Sequence, residues 1–253
     1  MTWDEVAKSV IPYMFKIETP QGHGTGFLCS YNEILQSVGV ATAYHVVQHS
    51  DKWQQPIRFV LDSGESLLLQ HEEYTVFSNP DTDSAMILIP QTCLMLSKLR
   101  LPETLMELIS PSQPLPIGCE VAWLGYPYIA PDKLCFFSGA ISAWLDFRKA
   151  YLVDGVTING VSGGPVMFQN SDKSYQVVGF VTAYIPNRAT GEAAPGLIVV
   201  QDVSYFSNTI ATMKSIQEGM SKQNELMRQP MPTGPTGPSP ILEPVPPTNP
   251  RGG

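Results

Sequence analysis

Ser162 lies in the run Gly160, Val161, Ser162, Gly163, Gly164, Pro165, and a serine set among glycines has what a nucleophile needs. Its hydroxyl must project from a sharp turn, with backbone N–H groups aimed at where an oxyanion would form. Glycines permit both, since they reach backbone angles closed to other residues and leave room for a substrate. Taken alone, the same run also reads as a glycine-rich hairpin turn. What separates the two readings is a base and a group that orients the base.

His45 is the candidate base. It follows Ala41, Thr42, Ala43 and Tyr44 at the end of an apolar strand, which would set its imidazole at the rim of a sheet. His23, His49 and His71 lie in polar or loop contexts and read as surface residues. Asp83 is the candidate orienter, at the end of a turn (Asn79, Pro80, Asp81, Thr82) and just before the apolar strand SAMILI. There a carboxylate can be partly buried and still reach an imidazole N–H. Asp81 is the rival, further out in the turn. A structural histidine and a turn carboxylate are the ordinary readings of each residue by itself.

The elements that would position these groups are short. YMFKI, GTGFLCS, SVGVATAY, IRFVLD, ESLLLQ and SAMILI occupy the first half, and CEVAWLGY, KLCFFSGAISAW, AYLVDG, GPVMF, YQVVGFVTAY and GLIVV the second. Each is strand-length, rich in β-formers and bounded by turn residues. Six strands on each side of residues 94–116 predict an all-β architecture of two six-stranded antiparallel barrels. Barrel one spans about 13–95 and barrel two about 116–202. Thr2 and Glu5 form a capping box for a short N-terminal helix that Pro12 ends. Phe206, Ile210, Met213, Ile216 and Met220 recur at helical spacing, so a C-terminal helix is expected over about 204–225, with Ser204 as its cap. Residues 230–253 hold nine prolines and little that could form a core. The expected division is therefore a folded domain over 1–228 and an extended Pro/Gly-rich tail over 229–253.

Composition excludes several classes. Fifteen basic residues against 23 acidic ones, a net charge of −8, leave no concentrated cationic face for nucleic acid. No apolar run is long enough to span a membrane. The N-terminus lacks the pattern of a secretory signal, and Cys29, Cys93, Cys119 and Cys135 show neither CxxC pairing nor metal-ligand spacing. These features point to reduced thiols and a cytoplasmic location.

Four motifs in register carry a family resemblance: GTGF at residues 24–27, Thr42-Ala43-x-His45, Asp83-x-Ala85-x-x-Leu88, and Gly160-x-Ser162-Gly163-Gly164-Pro165. Over about residues 13–205 the sequence resembles the trypsin-like serine peptidases, most of all the bacterial HtrA (Deg) type. The order His, Asp, Ser is the chymotrypsin order. The stretches around Gly118 to Pro127, Asp154 to Asn159 and Val177 to Tyr184 fit the same pattern. The resemblance implies that Ser162 attacks a peptide carbonyl, His45 shuttles the proton, and Asp83 holds the imidazole. It also implies an oxyanion hole from the N–H groups of Gly160 and Ser162. Val156 would form the base of the primary pocket and Thr182, Ala183 and Tyr184 one wall. No metal or organic cofactor is implied. The partner would be a protein or peptide substrate, and the tail is free to bind a further one.

The sequence departs from the family at several points, among them the absence of the cysteine that secreted trypsins place after His45. Ser84 replaces the usual aliphatic residue after the aspartate. Val161 stands where the secreted enzymes carry an aspartate that pairs with a newly cut amino terminus. The residues after the last strand are too few for a PDZ domain. Two other uses of the same barrels remain open: an inert peptide-binding module, and an esterase with the same three residues.

Overall fold

The computed structural model describes residues 1–32, 36–97, 99–109, 113–172, 174–186 and 193–228. Residues 229–253, where the Pro-rich tail is expected, lie outside the described residues.

The fold opens with α1 (Trp3–Val10). Thr2 accepts from the Glu5 backbone N–H and Glu5 reaches back to the Thr2 N–H, the reciprocal cap expected from the sequence. Val6 and Val10 are buried, and Trp3 Nε1 donates to Glu120 at 2.9 Å. Pro12 falls in a single 3₁₀ turn, Ile11–Tyr13, which leads into the first strand.

The first half then builds β1 (Met14–Thr19), β2 (Gly22–Asn32), β3 (Ser37–Ala43), α2 (Tyr44–Trp53), β4 (Ile57–Val60), β5 (Ser66–Leu69), β6 (Thr75–Asn79), β7 (Ser84–Pro90) and α3 (Gln91–Ser97). The strands pair antiparallel in the order β5-β4-β1-β2-β3-β7-β6. This sheet has seven strands, not the six expected. The additional one is β6, an edge strand on β7 whose residues are mostly exposed or half-buried. Without a buried face it lacks the apolar alternation that marks a strand in sequence. β3 is the opposite case. All seven of its residues are buried, and Gly39, Ala41 and Ala43 keep it thin enough to lie in the middle of the sheet.

The second half gives β8 (Glu120–Gly125), β9 (Cys135–Leu145), β10 (Ala150–Asp154), β11 (Pro165–Gln169), β12 (Tyr175–Pro186) and β13 (Ala193–Asp202). They close into an antiparallel barrel in the order β10-β13-β12-β11-β8-β9. Its interior holds Val121, Trp123, Tyr151, Val153, Val161, Val166, Val181 and Val200. A second core joins residues of both sheets, among them Phe27, Val40, Met86, Leu124, Tyr126, Phe180 and Phe206.

α4 (Ser204–Arg228) begins beside Asp202, whose carboxylate accepts from the Ser204 N–H at 2.7 Å. The acceptor at this helix start is thus Asp202, in place of the expected Ser204. Phe206 is fully buried between Phe27 of β2 and Phe180 of β12, at ring distances of 6.1 and 4.9 Å. Burial of one such ring stabilises the pairing of the two sheets by about 2–3 kcal/mol. The described residues 215–228, which fall in a second unit of the chain, are helix.

Candidate active site

β3 ends at Ala43 and the backbone turns directly into α2, so His45 lies in the first turn of a helix and not at the end of a strand. Asp83 caps the 3₁₀ turn Pro80–Thr82 in the left-handed region, at φ 51°. Aspartate tolerates that conformation better than most side chains. Its backbone carbonyl accepts from the Tyr44 N–H at 2.8 Å. Its carboxylate accepts from the His45 backbone N–H at 2.8 Å and bonds the ring Nδ1 at 2.7 Å. One residue thus fixes both the start of α2 and the plane of its imidazole. Asp81 is exposed, and its N–H is taken by Asn79 Oδ1. Ser84, fully buried, satisfies its hydroxyl on Thr82, at 2.9 Å to Oγ1.

Ser162 occupies a turn built on two left-handed glycines, Gly160 at φ 97° and Gly163 at φ 88°. A Cβ on Gly163 would run into the Thr25 carbonyl oxygen. The turn is held from the first sheet by Thr25, which is fully buried. Its hydroxyl donates to Gly160 O at 2.8 Å and accepts from Tyr126 N at 3.0 Å. Its N–H donates to Ser162 O at 2.8 Å, and its carbonyl accepts from Thr42 Oγ1 at 2.7 Å. Gly163 N donates to Val181 O, and Gly164 N to Val161 O. Among the described residues the N–H groups of Gly160 and Ser162 have no protein acceptor. Two backbone donors, at the serine and two residues before it, can stabilise an oxyanion.

Two cavities meet at Ser162. One, of about 350 Å³, is lined by His45, Asp83, Ser162, Asn159, Thr182 and Ala183, with Thr157, Ile158 and Val181. The other, of about 230 Å³, shares His45, Asn159 and Ser162 and adds Gly22, His23, Val46, Tyr128 and Gly160. Ser162 and His45 both border this common space; no hydrogen bond joins them among the described residues. Sites without substrate often hold such a pair apart.

The expected pocket residues divide. Thr182 and Ala183 line the larger cavity. Val156 is 57% exposed and lies outside both linings. The residues that form that side are Thr157, Ile158 and Asn159, because the loop after β10 turns Val156 outward before it enters the cleft. The Tyr184 side chain lies outside the described residues. Val161 is fully buried inside the second barrel, against Gly125, so it presents no group to a charged amino terminus. Two residues of the site are not marked by the sequence pattern. Thr25 is legible there only as part of GTGF. His23, which the sequence suggests is a surface residue, is half-buried at the edge of the smaller cavity.

Among the described residues no group of three or more His, Cys, Asp or Glu is arranged to hold a metal, and no helix is long and apolar enough to cross a membrane. The four cysteines are free, and burial pushes the Cys29 thiol up to about 12.

No protein-family model matches the sequence, and no curated protein does. Solved structures do. The protein is similar to the M. tuberculosis Rv3671c protease in an inactive form, with 21% identity and a TM-score of 0.57 over 82% of this chain and 92% of that one. It is similar to Deg5, with 18% identity and a TM-score of 0.58 over 82% and 93%. A serine endoprotease from Yersinia pestis gives 18% identity and a TM-score of 0.60 over 84% of this chain and 66% of that one. At these identities the likeness is one of fold: a closed six-stranded barrel beside a second curved sheet, the trypsin-like double barrel.

Proposed function

We propose that this protein is a serine endopeptidase. The observation that carries the reading is that His45, whose Nδ1 is held by Asp83 at 2.7 Å, lines one cavity with Gly160 and Ser162, whose backbone N–H groups have no protein acceptor among the described residues. Ser162 Oγ adds to the scissile carbonyl carbon while His45 Nε2 takes its proton. The N–H groups of Gly160 and Ser162 hold the resulting oxyanion. Collapse of the tetrahedral intermediate breaks the C–N bond, and His45 returns the proton to the leaving amine, which leaves an acyl-enzyme. Water, deprotonated by the same imidazole, then releases the acid and restores Ser162. Asp83 keeps Nδ1 protonated and stabilises the imidazolium without itself taking the proton.

The larger cavity has a neutral wall of Thr157, Ile158, Thr182 and Ala183. A Lys or Arg side chain placed there would lose its hydration without an acidic partner from these residues. The reading therefore includes a preference for small or medium apolar side chains before the scissile bond.

A fluorophosphonate probe tests the nucleophile. One adduct per molecule on Ser162, lost in Ser162→Ala and His45→Ala, is expected. Peptide turnover should fall by about 10⁴-fold or more in both variants. Absence of labelling favours the inert binding module, and labelling with ester but not peptide turnover favours an esterase.

A further inference from the structure

Given the peptidase reading, we propose that His23 is a positioning residue that aims the Gly160 N–H into the oxyanion hole, acting through Tyr126, Tyr128 and Asn159. His23 lies two residues before Thr25 in β2, so the two side chains leave the strand on the same side. Its ring Nε2 is 2.9 Å from Tyr126 O. A carbonyl only accepts, so Nε2 carries the proton. The His23 backbone N–H donates to Tyr128 Oη at 3.0 Å, and the two rings pack with centroids 4.2 Å apart. His23 therefore holds the segment from Tyr126 to Tyr128 against the first sheet through two hydrogen bonds and a ring contact, beside the bond from Tyr126 N to the Thr25 hydroxyl.

That segment in turn sets a peptide plane. Tyr128 N–H donates to Asn159 O at 2.7 Å. In a planar trans peptide the C=O and the next N–H point in opposite directions. Anchoring Asn159 O on Tyr128 turns the Gly160 N–H away from it, and Asn159, Gly160 and Ser162 all line the cavity beside His23. Rotation of that plane would exchange a donor for an acceptor at the oxyanion position. Gly160 packs directly on the support: a Cβ there would be 2.8 Å from His23 Nε2 and 2.9 Å from Tyr128 Cδ1, and would run into Tyr126 O. Only hydrogen on that Cα lets the turn rest on His23 and Tyr128. Burial holds the His23 imidazole below its ordinary value and so favours the neutral ring, in which the Tyr126 carbonyl selects the tautomer with the proton on Nε2.

The test compares His23→Ala with His23→Gln, whose terminal amide nitrogen reaches where Nε2 does. In His23→Ala the fluorophosphonate labelling rate and kcat should fall by roughly 10–100-fold, part of the loss seen when an oxyanion donor is removed. KM should stay within about threefold, and His23→Gln should recover most of the loss. A raised KM with unchanged kcat would show that His23 merely contacts substrate. A glutamine no better than alanine would also overturn the proposal. Should His23→Ala not fold, Tyr128→Phe removes the acceptor of the His23 N–H and keeps the ring; unchanged kcat there counts against the mechanism. A readout independent of turnover uses ¹⁵N-glycine labelling in a Ser162→Ala background. His23→Ala (or Tyr128→Phe, should it not fold) should move the Gly160 amide signal further than His23→Gln does and leave Gly64 and Gly118 in place; a Gly160 signal unmoved in the disrupting variant overturns the positioning role. If the unaltered protein takes no probe, the catalytic reading fails, and the amide signal still decides whether His23 holds the turn.

Discussion

Asp83 accepts twice from His45, from the ring Nδ1 at 2.7 Å and from the backbone N–H at 2.8 Å. The second bond locks the first turn of α2 to the carboxylate, so the ring has little freedom to leave it. Asparagine at position 83 could keep the backbone bond, yet its amide would favour the wrong imidazole tautomer. Asp83→Asn should lower peptide turnover by about 10⁴-fold with the melting temperature nearly unchanged. Asp81→Asn, at an exposed turn position, should stay within about twofold. Reversal of that order in steady-state kinetics would move the orienter to Asp81.

Thr25 places its hydroxyl between Gly160 O and Tyr126 N in a fully buried position. Thr25→Val keeps the shape and leaves both groups unsatisfied, at about 1–3 kcal/mol each. A drop of the melting temperature on the order of 10 °C is expected. Thr25→Ser, which retains the hydroxyl, should lose less than half as much. Equal losses would show that packing of the methyl group, not the bonds, is what matters.

The neutral wall of Thr157, Ile158, Thr182 and Ala183 predicts the cleavage profile. In a peptide library the position before the cut should be dominated by Ala, Val and similar side chains. Dominance of Lys or Arg would mean that an acidic group other than these four residues, such as Asp83 of the same cavity, pairs with the bound side chain. Thr182→Asp should shift the preference toward basic side chains by about tenfold or more.

Val161 is buried among apolar side chains and has no charge to offer an inserted ammonium. Such a charge would stay unpaired, at a cost of several kcal/mol. The protein with Met1 intact, verified by mass spectrometry, should therefore react with the active-site probe without trimming. Labelling that begins only after a cut near the N-terminus would contradict this.

His23 gives a signed pH effect. Burial lowers its pKa, with Lys16 adding to the effect and the bond to Tyr126 O, Glu18 and Asp132 opposing it. The folded state then binds this proton less readily than the unfolded state. Above the ordinary value of about 6.5 the ring is neutral in both states and contributes no pH dependence. As pH falls through 6.5 toward the lowered value, the unfolded state takes up more proton and stability declines. Melting curves between about pH 8 and about pH 5 should show His23→Gln losing less on acidification than the unaltered protein. Parallel curves would remove His23 as the source.

What the sequence determined is what local chemistry can encode. The capping box at Thr2 and Glu5, the six strands of the second half and the glycines around Ser162 are each written within a few neighbouring residues. Strand alternation and turn chemistry act over that range, and the order of four short motifs was enough to name His45, Asp83 and Ser162 as candidates. Tertiary structure alone decided the rest. β6 (TVFSN) carries β-formers but no buried face, so its sequence lacks the apolar alternation of the core strands, and its pairing with β7 defines it. Val156 faces solvent because the loop after β10 turns before reaching the cleft. His23 meets Tyr126 and Tyr128 across 103 and 105 residues of sequence, and Thr25 meets Gly160 across 135. Those bonds exist because two separately formed sheets pack along one seam, where buried donors must find acceptors on the opposite side. No local pattern specifies which partners that seam brings together.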